Sequence, residues 1–293
     1  MNQNIFQDVK YIANEPLSGH TTFRIGGPAK FIFMPKNTDE IKAVIDYCKE
    51  NNEKYMVLGN GSNVLFSDKG YDGVIIQIYN EINDIEVSGN TIYAKAGALL
   101  SKIAAAARDN SLSGMEFAAG IPGTLGGAIV MNAGAYGGEM KDIVTYVDVL
   151  ETTGEVKRYT CQEMEFEYRH SIIDKDKIVL GAMISLEPGD KSVIISKMNE
   201  LKEARVSKQP LEYPSAGSTF KRPEGYFAGK LIDDCGLRGY KVGGAMVSEK
   251  HCGFVINYDN ATSEDVVTLM NNVSNMVYDK FGVRLEPEVK IIQ

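Results

Sequence analysis

The chain has 293 residues, 44% of them hydrophobic and 24% charged, an ordinary globular composition with length for two or three domains. A formal charge of -8 and a pI near 5.1 exclude a general nucleic-acid surface but leave room for a local basic pocket that takes a small anion. No run approaches the roughly 18 apolar residues of a membrane span, and MNQNIFQDVKYIANEP lacks a basic segment followed by an apolar one, so a cytoplasmic protein is expected. In chain order, FIFMP (31–35), a helix carrying Ile41, Val44, Ile45 and Cys48, and YMVLG (55–59) read as strand, helix, strand. GVIIQI, then IEV and TIYA around a Gly89-Asn90 turn, read as short strands before a helix carrying Leu99, Leu100, Ile103 and Ala106. A domain boundary is placed near 70.

Residues 118–138 hold seven glycines, and VTYVDVLETTGEVKRY reads as a hairpin turning at Thr153-Gly154. After IVLGAMISLEPG, Asp190 or Ser192 caps an expected helix through Lys208 with Ile194, Met198 and Leu201 on its apolar face. That places a second boundary near 190. The last hundred residues read as helix, loop, helix (AGKLIDDCG), strand (HCGFVIN), a helix opened by a Thr262/Asp265 capping box, and a terminal strand. Alternation in that strand sends Val283, Leu285, Val289 and Ile291 to one face and Arg284, Glu286, Glu288 and Lys290 to the other. Cys48, Cys161, Cys235 and Cys252 form no C-x-x-C pair and adjoin no histidine cluster, so four reduced thiols and no metal are expected.

Two glycine segments stand out. Gly59-Asn60-Gly61-Ser62-Asn63 follows a predicted strand, and its paired glycines let the backbone turn and aim consecutive N–H groups at an anion such as a pyrophosphate. It is not the dinucleotide fingerprint of a Rossmann fold, because Val64 replaces the third glycine and no helix is expected next. The second runs Gly120-Ile121-Pro122-Gly123-Thr124-Leu125-Gly126-Gly127 and continues to Asn132-Ala133-Gly134-Ala135-Tyr136-Gly137. Its small side chains let a flat ligand lie against the main chain. Either segment by itself is more simply a turn or a close-packed loop. Two in separate predicted domains favour an extended bipartite ligand, and a dinucleotide has that shape.

HTTFRIGGPA (20–29), LGNGSNVL (58–65), AGIPGTLGG (119–127), NAGAYG (132–137), YRHS (168–171), PSAGSTFKRP (214–223) and LEPEVKII (285–292) occur in an order that spans nearly the whole chain. Together they resemble the UDP-N-acetylenolpyruvoylglucosamine reductase family, FAD enzymes that produce UDP-N-acetylmuramate for peptidoglycan, and so serve cell-wall biogenesis, cell shape and division. The resemblance implies an α+β protein. A vanillyl-alcohol-oxidase (PCMH)-type FAD-binding fold of two subdomains (1–69 and 70–189) would be followed by a UDP-sugar-binding domain (190–293). It implies non-covalent FAD reduced by NADPH, hydride transfer to the enolpyruvyl ether, and successive use of one cleft by both substrates. The 48 residues between Arg169 and Ser218 resemble the family's short form, without an inserted tyrosine-bearing loop. Arg222 stands where some members carry asparagine.

Hydride addition to the terminal enolpyruvyl carbon places negative charge on its neighbour and on the carboxylate. Arg169 matches the family arginine of the YR motif, suited to such a carboxylate; from the residues alone, an ion pair with Glu163, Glu165 or Glu167 is the competing reading. Ser218 matches the family proton donor, with Lys208 or Lys221 to stabilise the alkoxide. The competing reading is a turn hydroxyl bonded to local backbone. Periodicity does not separate Glu286 from Glu288; the family match is to Glu288, in a proton relay or carbanion-stabilising network, protonated or water-bridged during the reaction. The implied cofactor set is Gly59, Asn60, Gly61, Ser62, Asn63, Gly120, Ile121, Pro122, Gly123, Thr124, Gly126, Gly127, Asn132, Gly134 and Ala135. Tyr136, Lys208, Lys221 and His251 are the substrate-side candidates. The rival readings are a flavin oxidase on the same scaffold and a catalytically silent FAD or nucleotide-sugar sensor.

Overall fold

The computed structural model describes residues 5–174 and 177–293. The chain groups into two compact units, neither of them contiguous: Met1–Ala13, Phe31–Asn60 and Gly73–Ala204 form the first, and Asn14–Lys30, Gly61–Asp72 and Arg205–Gln293 the second.

In the first unit, Thr38–Glu50 is the expected helix. Asn37 caps it by accepting the Glu40 N–H at 2.9 Å, and it buries Ile41, Val44, Ile45 and Cys48, the i, i+3, i+4, i+7 stripe of an amphipathic helix. Strand Tyr55–Leu58 pairs in parallel with the Val74–Gln77 stretch of strand Tyr71–Gln77. An antiparallel five-stranded sheet runs Val156–Thr160, Val144–Leu150, Ile178–Ser185, Thr91–Lys95, Ile85–Ser88. Its tight turns use Gly89 at φ 55° and Gly154 at φ 83°, as expected of turn glycines. The short helix Leu125–Val130 packs on the central strand Ile178–Ser185, and Ile92, Leu100, Ile103, Leu125, Ile129, Ala182 and Ile184 join one core.

Two expected faces shift. The helix after the second sheet's first hairpin is Leu100–Asp109, with Leu99 at its N-cap, and it buries Leu100, Ile103, Ala104 and Ala107 rather than Ala106. The two i, i+4 pairs that start at Leu100 and Ile103 set that face. Helix Lys191–Lys208 is capped by Asp190, whose Oδ1 accepts the Ser192 N–H at 2.7 Å. Of its residues Ile194 is buried, Met198 packs partly against the core, and Val193, Ile195 and Val206 are exposed. Apolar residues spread around this helix instead of along one stripe, so its expected Ile194/Met198/Leu201 face is buried chiefly at one end.

In the second unit, helix Ser263–Phe281 has the expected capping box between Thr262 and Asp265, buries Val266, Leu269, Met270, Val273 and Val277, and stops at Gly282 with φ 68°. It packs with helix Ala228–Asp234 and with an antiparallel three-stranded sheet of Lys241–Val242, Ala245–Val247 and Val255–Asn257. The first two strands are two and three residues long, too short to show a period. The terminal strand is Lys290–Ile292 and pairs in parallel with Val64–Phe66. The expected alternation from 283 holds for buried Leu285 and Val289 and fails at Ile291, which is 37% exposed. Regular strand begins only at Lys290, and the preceding residues are held by an isolated bridge between Phe220 and Pro287. All four cysteines are free. Among the described residues, no helix is long and apolar enough to cross a membrane, and no cluster suits a metal ion.

Candidate active site

Strand Tyr55–Leu58 delivers Gly59 and Asn60 directly to the second glycine segment. The Asn60 Nδ2 donates to the Pro122 carbonyl at 2.6 Å. A Cβ added to Gly59 would come within 2.3 Å of Thr124 Oγ1, so the close approach requires glycine. The second segment is fixed to the chain that precedes helix Leu100–Asp109. Leu125 and Gly126 donate to the Ala98 and Ala96 carbonyls at 2.8 Å, and Leu100 donates to the Gly123 carbonyl at 3.1 Å. Thr124 then caps the following helix through Gly127 N–H.

The sequence's candidate anion segment continues in the second unit. Gly61 has φ 62°, and a Cβ there would lie 2.1 Å from the His20 carbonyl oxygen. Among the described residues, the main-chain N–H groups of Gly61, Ser62 and Asn63 have no acceptor, nor do those of Gly123 and Thr124 in the first unit. Consecutive unengaged N–H groups beside small side chains are the donor set a phosphate needs, so each unit by itself holds residues that fit a phosphate of a dinucleotide. Ile121 N–H, by contrast, is taken by the Ala118 carbonyl.

Asn132 is fully buried. Its Nδ2 donates to Glu139 Oε2 at 2.9 Å and to the Glu167 carbonyl at 3.0 Å, and its Oδ1 accepts Lys141 N–H at 3.0 Å. These bonds close the Gly134–Ala135/Gly138–Glu139 hairpin, whose tip carries Tyr136 (φ 52°) and Gly137 (φ 90°); Tyr136 is 46% exposed. They also grip the turn that holds Arg169, in which Glu167 and His170 exchange main-chain hydrogen bonds. Arg169 sits at φ 58°, with Nη2 3.5 Å from the Gly134 carbonyl and its guanidinium 4.9 Å from the Tyr168 ring centre. Of the glutamates that compete for it on sequence, Glu163 caps Thr160. One carboxylate in its neighbourhood is Glu139, held below the usual range by Lys141, with the Asn132 amide and the Arg169 charge acting in the same sense.

Ser218 and Glu288 lie on adjoining strands of main chain in the second unit. Glu288 N–H donates to the Thr219 carbonyl and Lys221 N–H to the Glu286 carbonyl, both at 2.8 Å. Ser218 follows Gly217 at φ 76° and is exposed. Among the described residues its hydroxyl makes no hydrogen bond, so it is not tied to the local backbone. Lys221 pairs with Glu286 at 3.3 Å. Lys208 closes its helix, near enough to His251 for its charge to help lower that ring's pKa, burial being the larger cause. The His251 Nδ1 accepts the Gly253 N–H at 3.1 Å, and its ring meets Phe254 edge to face.

Sequence reading misses Thr219, which is 2% exposed; its Oγ1 accepts the Val255 N–H at 2.8 Å. It also misses Glu139. A hydroxyl next to a buried phenylalanine was the available signal for the first; a charged residue in a glycine-rich hairpin was the signal for the second.

Comparison with known proteins agrees with this geometry. Residues 209–292 match the family described as UDP-N-acetylenolpyruvoylglucosamine reductase, C-terminal domain, and residues 29–160 match an FAD binding domain. UDP-N-acetylenolpyruvoylglucosamine reductase of Caldanaerobacter subterraneus subsp. tengcongensis is 52% identical over 99% of this chain and 96% of its own length. That of Clostridioides difficile is 48% identical over 98% and 94%. The crystal structure of the Thermus caldophilus enzyme superposes with a TM-score of 0.83 at 34% identity, covering 97% of this chain and 99% of that one. With an α+β fold, an FAD-binding segment and similarity along nearly its whole length to these reductases, the chain belongs to the UDP-N-acetylenolpyruvoylglucosamine reductase family.

Proposed function

We infer that this chain reduces UDP-N-acetylenolpyruvoylglucosamine to UDP-N-acetylmuramate in peptidoglycan precursor synthesis, with FAD as cofactor and NADPH as hydride donor. The observation that carries the reading is the main-chain bond from Glu288 to Thr219, the neighbour of Ser218, in a chain about half identical to reductases of that name along their length. When bound, FAD would supply to the terminal carbon of the enolpyruvyl group the hydride it had received from NADPH. The residues that would hold it are Gly61, Ser62 and Asn63 in the second unit and Gly59, Asn60, Gly120, Ile121, Pro122, Gly123, Thr124, Gly126, Gly127, Gly134 and Ala135 in the first, the unengaged N–H groups within each unit being suited to its phosphates. Asn132, whose amide is spent inside the protein, serves the same site by fixing the hairpin.

Arg169 binds the substrate carboxylate and stabilises the charge that develops there. Ser218 gives its hydroxyl proton to the carbon next to the carboxylate, and Lys208 or Lys221 stabilises the alkoxide left behind. Glu288, protonated or bridged by water, relays the proton that restores Ser218; an ionised carboxylate would repel the developing charge. The reaction balances as one hydride and one proton added across one C=C bond. Tyr136 stacks on or hydrogen-bonds the substrate, Lys208 offers charge to its phosphates, and His251 makes uridine-side contacts. Residues 1–69 and 70–189 act as two FAD-binding subdomains and 190–293 as the UDP-sugar domain, which the matches to 29–160 and 209–292 support. The enzyme works in the cytoplasm, where its nucleotide substrates are.

The test follows flavin absorbance under anaerobic conditions. NADPH bleaches the flavin, and UDP-N-acetylenolpyruvoylglucosamine restores its colour. Recovery only on admitting oxygen would make the chain an oxidase instead. A protein that takes up no flavin would overturn the assignment.

A further inference from the structure

We propose that the side chain of Asn63 is a positioning residue for Glu288, clamping the peptide that carries this carboxyl group to the segment that meets the cofactor. The proposal rests on the reading of Glu288 as part of the proton relay. Asn63 belongs to a segment that its sequence marks for anion binding, yet its side chain is engaged within the protein. Its Nδ2 donates to the Glu288 carbonyl at 3.2 Å, and its own carbonyl accepts the Lys290 N–H at 3.0 Å. The parallel ladder between Val64–Phe66 and Lys290–Ile292 starts at the Val64/Lys290 pair. The Asn63 amide therefore adds one rung beyond the ladder, at the point where the chain would otherwise leave the strand.

The other main-chain group of Glu288, in the preceding peptide, is also held. Glu288 N–H donates to the Thr219 carbonyl at 2.8 Å, and Thr219 is fixed by its own N–H to the Gly253 carbonyl at 2.9 Å and by its hydroxyl to Val255. With its N–H and its carbonyl both engaged, the main chain of Glu288 is fixed on either side of the Cα that carries the carboxyl group. A relay needs its carboxyl group held within about 0.5 Å of the working geometry, and about 1 Å of misplacement costs on the order of 100-fold in rate. An amide suits the position because it donates. Aspartate of the same size would set a carboxylate against the Glu288 carbonyl oxygen.

The experiment compares Asn63→Ala, Asn63→Asp and Glu288→Gln with wild type as full-length FAD-loaded enzymes, measuring both half-reactions by anaerobic stopped flow across pH. Melting temperature and flavin fluorescence report folding and loading. Both Asn63 variants are expected to slow reoxidation by UDP-N-acetylenolpyruvoylglucosamine about ten- to a hundredfold more than they slow flavin reduction by NADPH. They are also expected to displace the pH profile of reoxidation in the direction seen for Glu288→Gln. If Glu288→Gln reoxidises slowly while both Asn63 variants keep the wild-type ratio and profile, the positioning role is wrong and the relay stands. If both variants lose flavin, or slow the two half-reactions equally, the Asn63 side chain serves the cofactor and the proposal falls. If Glu288→Gln reoxidises like wild type, the relay reading fails, and this proposal with it.

Discussion

Arg169 and the Ser218/Glu288 pair face the same physical problem, a polar side chain held in one geometry against its own entropy, and the protein solves it in two ways. Arg169 is held locally. Glu167 and His170 close a turn on themselves, the arginine takes a left-handed φ of 58°, and one buried amide, 35 residues away, grips the turn. Glu288 is held by long-range main-chain pairing with Thr219, the neighbour of Ser218, and the amide that locks Glu288 comes from 225 residues away. A local turn stores strain at the functional residue. Long-range pairing stores none there but exists only when the whole unit is folded.

The largest expected effects separate the two arrangements. Ser218→Ala leaves the strand pairing intact and is expected to lower the rate of sugar reduction by about 10²- to 10⁴-fold, while NADPH still bleaches the flavin. Stopped-flow half-reactions check this; an unchanged rate of reoxidation would remove Ser218 from the proton transfer, and a wild type that the sugar does not reoxidise would support the silent-sensor reading. Arg169→Gly loses the carboxylate ligand, at about 10²- to 10³-fold in turnover. Its stability moves little, because relief of the left-handed strain and the extra freedom of glycine in the unfolded chain offset to within about 1 kcal/mol. A urea melt that shows a loss of several kcal/mol would mean that the arginine is structural after all.

Asn132→Ala attacks the grip on the Arg169 turn. It removes the partner of Glu139 and of two main-chain groups, and orphaning a buried group costs about 1–3 kcal/mol. A fall in melting temperature is expected, together with a higher KM for the sugar substrate. Thr262→Ala, far down the chain at the capping box of helix Ser263–Phe281, is expected to cost about 1 kcal/mol and to leave KM alone. The pair distinguishes damage to the turn from loss of stability as such.

The same contrast explains what the sequence exposes. Helix Ser263–Phe281 was legible down to its cap, because 3.6-residue periodicity and a capping box are local signals. Strands Lys241–Val242 and Ala245–Val247 were not, since their stability comes from partners and not from pattern. Residues 14–30 and 61–72 join a unit dominated by the C-terminal part of the chain, an association that no composition shift records. At the site, residue types led to an extended nucleotide, and the matched motifs led to Arg169, Ser218 and Glu288. Neither could tell that the side chains of Asn63 and Asn132 hydrogen-bond within the protein, because an asparagine that binds a ligand and one that binds its own main chain have the same letter.

The smallest expected effect is a pH dependence at His251. Burial, with the charges of Arg238 and Lys208 adding to it, lowers the folded-state pKa, whereas in the unfolded chain the ring titrates near its ordinary value of about 6.5. Between those two values the unfolded chain binds a proton that the folded ring refuses. This contribution to stability is therefore complete above about pH 6.5 and is lost as the pH falls toward the folded value. Glu139, whose folded pKa is also lowered, loses its own contribution at more acidic pH, but it does so equally in any variant that leaves it in place. Urea midpoints of wild type and His251→Gln, taken at about pH 7.5 and about pH 5.5, isolate the histidine, since glutamine can still accept the Gly253 N–H and does not titrate. The wild type is expected to lose more stability across that interval than the variant; parallel losses would mean that the ring is solvated as freely in the folded protein as in the unfolded chain.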